Sequence, residues 1–285
     1  MTPDTPISLA NLAGKLVKPA DTLIKKISSA AGILYGLEKI AEAEAKAALI
    51  KARSDIEITD LQRRAANRWI AEEAQRQKNM EDIIDKALPQ LNENARPESI
   101  DNDWVANLFD KCRIVSDDEM QGLWSRVLAG EANAPGSYSK RTVNFLSDMD
   151  KADAESFTRL CGFGWQIGNI VPLVFDVQAE IYNKHGINFG TLSHLDSIGL
   201  VQLNVLTGFL RRKLPKKFKV LYYGGALVLE MPHDADSNLE IGKVRLTRIG
   251  QELAPICGSK PVDGFWEYVK DQWKQYSPEE AVVQR

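Results

Sequence analysis

The chain has 285 residues, 44% of them hydrophobic and 26% charged, with a net charge of −3 at neutral pH. That length allows two domains, each able to bury a core, and the near-neutral balance excludes a histone-like polycation while leaving room for local basic patches. The opening MTPDTPISLANLAGK lacks a basic n-region, and no run approaches 18 consecutive apolar residues, so neither a cleavable leader nor a conventional transmembrane helix is expected.

Residues 1–36 read as an amphipathic N-terminal segment, two short helical pieces divided at Lys18–Pro19. Leu9, Leu12 and Leu16 share a face of the first, and Leu23, Ile24 and Ile27 a face of the second. Lys15, Lys18, Lys25 and Lys26 against Asp21 make the segment basic. Such a helix fits an interfacial membrane anchor and equally a helix docked on a neighbouring bundle. Docking is favoured, because Tyr35 is the sole aromatic residue near it.

Residues 34–88 contain no proline, and small or apolar residues recur close to every 3.6 positions. The stripe includes Leu37, Ala41, Ala45, Ala48, Ala52, Ile56, Ala66, Ile70, Ala74, Met80, Ile84 and Leu88, which predicts one face of a single long helix. At 1.5 Å per residue it would span roughly 80 Å. Glu42–Lys46, Asp60–Arg64, Glu72–Arg76 and Asp82–Lys86 are acid-before-base pairs at i,i+4. A helix of that length wants a partner, so residues 37–88 are expected to drive homo-oligomerisation; the competing reading folds the helix back on its own chain.

The polar stretch 89–100, with Pro89 and Pro97, reads as a linker. A central helical domain over 101–165 follows. Its first helix buries Trp104, Val105, Leu108, Phe109 and Cys112. Its second starts at an acidic turn, with Ser116 as N-cap and Glu119 at the capping-box position, and carries Leu123, Trp124, Val127 and Leu128. Ser139 caps a third helix from Lys140.

The run DNDWVANLFDKCRIVSDDEMQGLW onward to Leu160, together with EAEAKAALIKARSDIEITDLQRRA in the long helix, resembles a family of uncharacterised bacterial proteins. The Trp-centred helix (Leu123, Trp124, Leu128), the loop with Ser139 and the step Asp153–Ala154 are also similar to the abortive-infection alpha family of phage-defence proteins. Neither resemblance supplies a catalytic motif; both imply a biological setting, phage defence, and not a reaction.

Residues 166–276 read as an α+β module, followed by a polar tail, 277–285. Helical residues from Asp153 to about Gln166 lead to helices over 171–184 and 188–199. TLSHLDSIGLVQ resembles the third helix of a winged-helix domain running into a strand, and LTRIGQELAPI its closing strand-to-helix step. Strands are predicted over 201–206, 218–223, 226–231 and 243–246, with Gly224–Gly225 as a hairpin turn. Phe265, Trp266, Tyr268, Val269 and Trp273 make an aromatic C-terminal helix.

Arg211, Arg212, Lys213, Lys216, Lys217 and Lys219 form the strongest charge feature, a predicted basic hairpin with no acid between Asp196 and Glu230. In a winged-helix setting it would meet phosphate backbone; otherwise it is a solvated loop, or it meets an anionic membrane or protein surface. The helix at 188–199 offers Asn188, Thr191, Ser193 and His194, with Asp196 repelling phosphate, which is poor equipment for reading bases. His185, His194 and His233 have no metal-type spacing. Cys112, Cys161 and Cys257 show neither a disulfide framework nor CxxC spacing, so reduced structural thiols are expected. Glu131 with Pro135–Gly136–Ser137 lacks the glycines and lysine of a phosphate loop.

The expectation is thus a mainly helical, non-enzymatic protein with a long N-terminal helix, a central helical domain and a winged-helix-like C-terminal domain, without cofactor or metal. It would be cytoplasmic, peripheral at the inner membrane if the N-terminus meets lipid, and self-assembled, with a phage or host protein as a further candidate partner. A nucleic-acid-binding regulator and a plain scaffold are the alternatives.

Overall fold

The structure, a computed structural model, describes residues 16–33, 35, 59–233, 237–276 and 282–283. The chain divides into two compact units, Met1–Ser147 and Asp148–Arg285.

The first unit is helical. Its described helices are α1 (Val17–Ala31), α2 (Asp60–Ala87), α3 (Asn102–Cys112), α4 (Asp118–Asn133) and α5 (Lys140–Asp148). Helix α1 runs through Lys18–Pro19 instead of dividing there. Pro19 sits in the first turn, where a missing N–H costs no helical bond. Leu23 and Ile27 are fully buried, and α1 packs on α3 and on the 3-10 turn Pro97–Ser99. The docked alternative is therefore the one this helix adopts; Ile24 and Leu16 are half-buried, and Leu9 and Leu12 lie outside the described residues. Residues 89–100 do not act as a spacer, since Leu88, Leu91, Pro97 and Ile100 are buried within the same unit.

Helix α2 does not continue an unbroken helix from residue 34. Thr59 is extended, and it closes a capping box with Gln62 that starts the helix at Asp60. Leu37, Ala41, Ala45, Ala48, Ala52 and Ile56, with the pair Glu42–Lys46, lie outside the described residues. Within α2 the stripe is buried only at its far end. No residue from 60 to 78 is buried, Ala66 and Ile70 are half-buried and Ala74 is exposed. From Asn79 onward Met80, Ile83, Ile84, Ala87 and Leu88 are buried, chiefly against α4, each large side chain contributing about 1.5–3 kcal/mol. The pairs Asp60–Arg64 (3.1 Å) and Glu72–Arg76 (3.7 Å) form. Asp82 pairs instead with Lys78, and Lys86 with Asp118 of α4, both at 2.7 Å, because the end of α2 is a packing face and not free helix surface.

Helix α3 buries Trp104, Val105, Leu108, Phe109 and Cys112 as its spacing predicts. Helix α4 starts one residue later than expected, with Asp117 and not Ser116 as N-cap, its carboxylate accepting from the Glu119 and Met120 amides. The loop after α4 is held by Glu131, a buried carboxylate that accepts the Gly136 amide at 2.7 Å and the Tyr138 amide at 2.9 Å. Tyr138 lies against Gly130, where a Cβ would come within 2.6 Å of its ring.

The second unit begins at Asp148, so the expected boundary at 165/166 falls earlier. Helix α6 (Lys151–Cys161) is followed by a tight hairpin, β1 (Gly164–Ile167) and β2 (Asn169–Pro172), turning at Gly168 with φ +77°. Two short helices, α7 (Glu180–Asn183) and α8 (Phe189–Ser197), precede β3 (Val201–Leu203). Then come β4 (Phe209–Leu214), β5 (Lys217–Tyr222), β6 (Gly225–Glu230), β7 (Ser237–Gly242) and β8 (Val244–Leu246), helices α9 (Arg248–Leu253) and α10 (Phe265–Gln272), and β9 (Val282–Val283). All named ladders are antiparallel: β2-β1-β5-β6-β9, β3-β8 and β4-β7. The fold is mixed, helical first and α+β second. The aromatic face of α10 covers the larger sheet: Trp165 stacks between Tyr222 and Trp266, with centroids 5.1 and 5.0 Å away. No described helix is long and apolar enough to cross a membrane.

Candidate anion-binding face

The six cations of residues 211–219 do not form a hairpin of their own. Strands β4 and β5 follow one another along one arm of a single long hairpin, residues 209–242, whose other arm is β6 and β7. The turn is Tyr223–Gly224, one residue earlier than predicted, with φ +43° and +90°. Two left-handed residues in a two-residue loop match the twist of the flanking strands.

The ladder is irregular where the charge lies. Arg211 pairs with Leu239 and Leu214 with Ser237, so Arg212 and Lys213 stand opposite Asn238 alone. Lys213 has φ +59°, a left-handed conformation that costs a non-glycine residue about 1–2 kcal/mol. A bulge of this kind re-aims side chains and adds twist. Arg211, Arg212, Lys213, Lys216, Lys217 and Lys219 are all exposed. Lys217 is neutralised by its cross-strand partner Glu230 at 3.1 Å.

Arg211 leads to the second half of the face. Its guanidinium lies over Gly168, where a Cβ would be 3.1 Å from Nη2. It lines a cleft of about 290 Å³ walled by β2, β4, β7, β8 and the start of α9. Arg245 and Arg248 line the same cleft, with Asn169, Phe209 and Gln251. Arg245 is placed twice over: its guanidinium stands 5.1 Å above the Phe209 ring, and its Nε donates to Gln202 at 2.5 Å. Arg248 donates to Glu252 at 2.9 Å. A guanidinium carries five donors, and the bonds to Gln202 and Glu252 each use one. The Glu252 carboxylate offsets Arg248, and Arg211 and Arg245 raise the local potential at the opening, which a bound phosphate or carboxylate would relieve.

Arg245 and Arg248 were not among the sequence-derived site residues. The signal was present: Val244 and Leu246 are buried and Arg245 between them is exposed, so alternation alone aims Arg245 at solvent. Its convergence with Arg211 is tertiary and has no local signature. Helix α8 uses part of its polar set within its own unit, although Asn188, Ser193, His194 and Asp196 are exposed. Asn188 caps the Thr191 amide, the Thr191 hydroxyl donates to the Gly186 carbonyl, and Asp196 accepts the Leu203 amide. His194 and Asp153 are 2.7 Å apart. His185 lies edge-on to Phe163, and the His233 carbonyl accepts the Ser237 hydroxyl. Among the described residues no group of three or more His, Cys, Asp or Glu side chains is placed to hold a metal ion.

A helical unit joined to an α+β unit with an arginine-lined cleft defines a class by architecture alone. The chain belongs to the family described as protein of unknown function DUF2806, whose profile matches residues 63–270, most of both units. No curated protein and no solved structure matches it.

Proposed function

We propose that the protein is a non-enzymatic nucleic-acid-binding regulator whose second unit, a winged-helix-like frame, grips phosphate backbone with the arginine-lined cleft and the bulged strand beside it. The observation that carries this reading is the convergence of Arg211, Arg245 and Arg248 on one cleft, next to a bulge that presents Arg212 and Lys213. The order α6, β1–β2, α7, α8, β3, long hairpin, β8 supports the frame: β3 pairs with β8, and the hairpin inserted between them stands where a wing would. Because α8 offers few base-reading groups and its exposed Asp196 repels phosphate, binding rests on phosphate contacts and carries little sequence preference.

Such binding is salt-dependent, each phosphate contact steepening the slope of log K against log salt by about 0.9. Four contacts therefore cost about 100-fold between 50 and 200 mM salt. The test is fluorescence anisotropy with a labelled duplex, comparing the full chain with Arg211→Gln/Arg245→Gln/Arg248→Gln. The variant is expected to bind at least tenfold more weakly, with a slope reduced by about 2 to 3. Absence of binding at 50 mM salt, or equal binding by the variant, overturns the reading.

One observation favours a second reading, an abortive-infection-like protein that self-assembles through its long helix and acts at the inner membrane or on a phage or host protein. Leu61 and Trp69 are 68% and 61% exposed on a stretch of α2 with no buried residue, apolar surface whose burial against a partner would be favourable. Light scattering of the full chain is expected to give an oligomer that Leu61→Ala/Trp69→Ala weakens. A monomer at micromolar concentration sinks this reading.

A further inference from the structure

Arg211, Arg245 and Arg248 line the cleft, and Glu252, paired with Arg248 at 2.9 Å, is set against them. Three guanidinium groups less one carboxylate leave two positive charges. No acid is among the described residues that line the opening. A phosphodiester inside a nucleic-acid strand carries one negative charge. A phosphate monoester, which a nucleic acid bears only where a strand ends, carries about −1.5 to −2 at neutral pH and offers three strong acceptor oxygens. The charge of the cleft matches the monoester and exceeds the diester. Its shape agrees: a hollow of about 290 Å³ takes a group that projects from a strand end, whereas a continuing strand presents a ridge.

Beside the cleft, the turn from β3 to β4 carries an apolar tip. Val205 is 39% exposed and Leu206 89%, the highest value among the large apolar side chains described. The base of the turn is braced. The Asn204 amide donates to the Lys243 carbonyl at 2.8 Å. The Asn204 side chain accepts the Thr207 amide at 3.1 Å and donates to the Thr207 hydroxyl at 2.8 Å. The Gly208 amide donates to the Asn204 carbonyl at 3.1 Å, and a Cβ at Gly208 would come within 2.9 Å of the Gly242 carbonyl oxygen. Turn and cleft are neighbours: Gln202, just before the turn, pairs with Arg245 and accepts its Nε, and Phe209, just after it, lines the cleft. Such a tip calls for an apolar surface adjoining an anionic one. Inside a duplex every base face is stacked, and wedging a step open costs unstacking energy. The last base pair of an end offers a bare face at no such cost, next to the terminal phosphate.

We propose, resting on the phosphate-binding reading above, that the second unit recognises the ends of nucleic-acid duplexes. The cleft holds a terminal phosphate monoester, and the Val205–Leu206 tip covers the base pair at that end, burying apolar surface on both sides. The bulged strand, with Arg212 and Lys213, meets the diesters that lead away from the end. A monoester and an unstacked base face occur together only at an end of an intact duplex, and the fold sets the cleft and the tip side by side.

The experiment measures fluorescence anisotropy of internally labelled duplexes of one sequence with the full chain. The duplexes are blunt with 5′-phosphates, blunt with 3′-phosphates, blunt with hydroxyl ends, and closed at both ends by hairpin loops. One of the phosphorylated duplexes is expected to bind about tenfold more tightly than the hydroxyl-ended one, and the terminus that gives the gain names the end recognised. The hydroxyl-ended duplex is expected to bind about fivefold more tightly than the closed one. Arg245→Gln should abolish the first difference and keep the second; Leu206→Ser should do the reverse. Equal binding of all the duplexes with the salt dependence intact overturns end recognition and leaves the backbone reading standing. Absence of binding to any of them at about 50 mM salt overturns both. Flotation with anionic liposomes that depends on Leu206, without a preference for ends, assigns the tip to lipid and overturns the proposal. The parent chain decides it even where a variant fails to fold.

Discussion

Glu131 of the first unit and the arginines of the second are charged groups placed by loops and strand ends, and they are disposed in opposite ways. Glu131 is 4% exposed, and its two oxygens accept one backbone amide each. Arg211, Arg245 and Arg248 are exposed and line one cleft. A charge whose bonds are spent inside the chain holds a loop. A charge left at the surface stays open to solvent.

The contrast breaks most readily at Glu131. Each charge-assisted hydrogen bond is worth about 1.5–3 kcal/mol, so Glu131→Ala should lower stability by about 3–5 kcal/mol in urea denaturation, and Glu131→Gln by about half as much. A loss below about 1 kcal/mol would show that water replaces the carboxylate without cost. A smaller effect of opposite sign is expected at the bulge. Lys213→Gly relieves a left-handed backbone that costs about 1–2 kcal/mol, and glycine's larger unfolded-state entropy returns part of that. A net gain of about 0.5–1 kcal/mol, with one cation fewer for phosphate, separates the strain of the site from its charge. The smallest effect belongs to the cleft. The triple glutamine variant should stay within about 0.5 kcal/mol of the parent, so that its loss of binding reads as function and not as unfolding.

Much of this was legible in the sequence, for local reasons. The faces of α3 and α4 follow from a 3.6-residue period through Trp104, Leu108 and Cys112, and through Leu123, Val127 and Leu128. The hairpin turn announced itself in Gly224–Gly225, one residue past where it falls. The capping box at Thr59–Gln62 was equally local, but the unbroken small-residue stripe on either side of it argued for one helix, and the cap won. The β1–β2 hairpin was missed because its strands are only four residues each, although Trp165, Gln166 and Ile167 alternate about a Gly168–Asn169 turn; Trp165 is covered by Trp266 of α10 and by Trp273 just beyond it, some hundred residues away. The basic run was found, but its partners Arg245 and Arg248 were not, because the strand pairing that gathers them joins residues with no local relation.

Gly242, with φ +92°, closes the long hairpin at its base, and a Cβ there would meet the Val174 carbonyl oxygen at 2.3 Å. Val174 and Gly242 also form a parallel bridge, and the Lys243 amide donates to the Val174 carbonyl at 2.6 Å. A slip of one residue along the hairpin would turn every side chain to the other face, sending Arg211 away from its cleft. The same slip would bring the side chain of Ile241 or Lys243 to a place where a Cβ meets the Val174 backbone. Gly242 therefore proofreads the hairpin: misaligned pairings are rejected by collision at its base, before the cationic face at the bulge can be assembled wrongly.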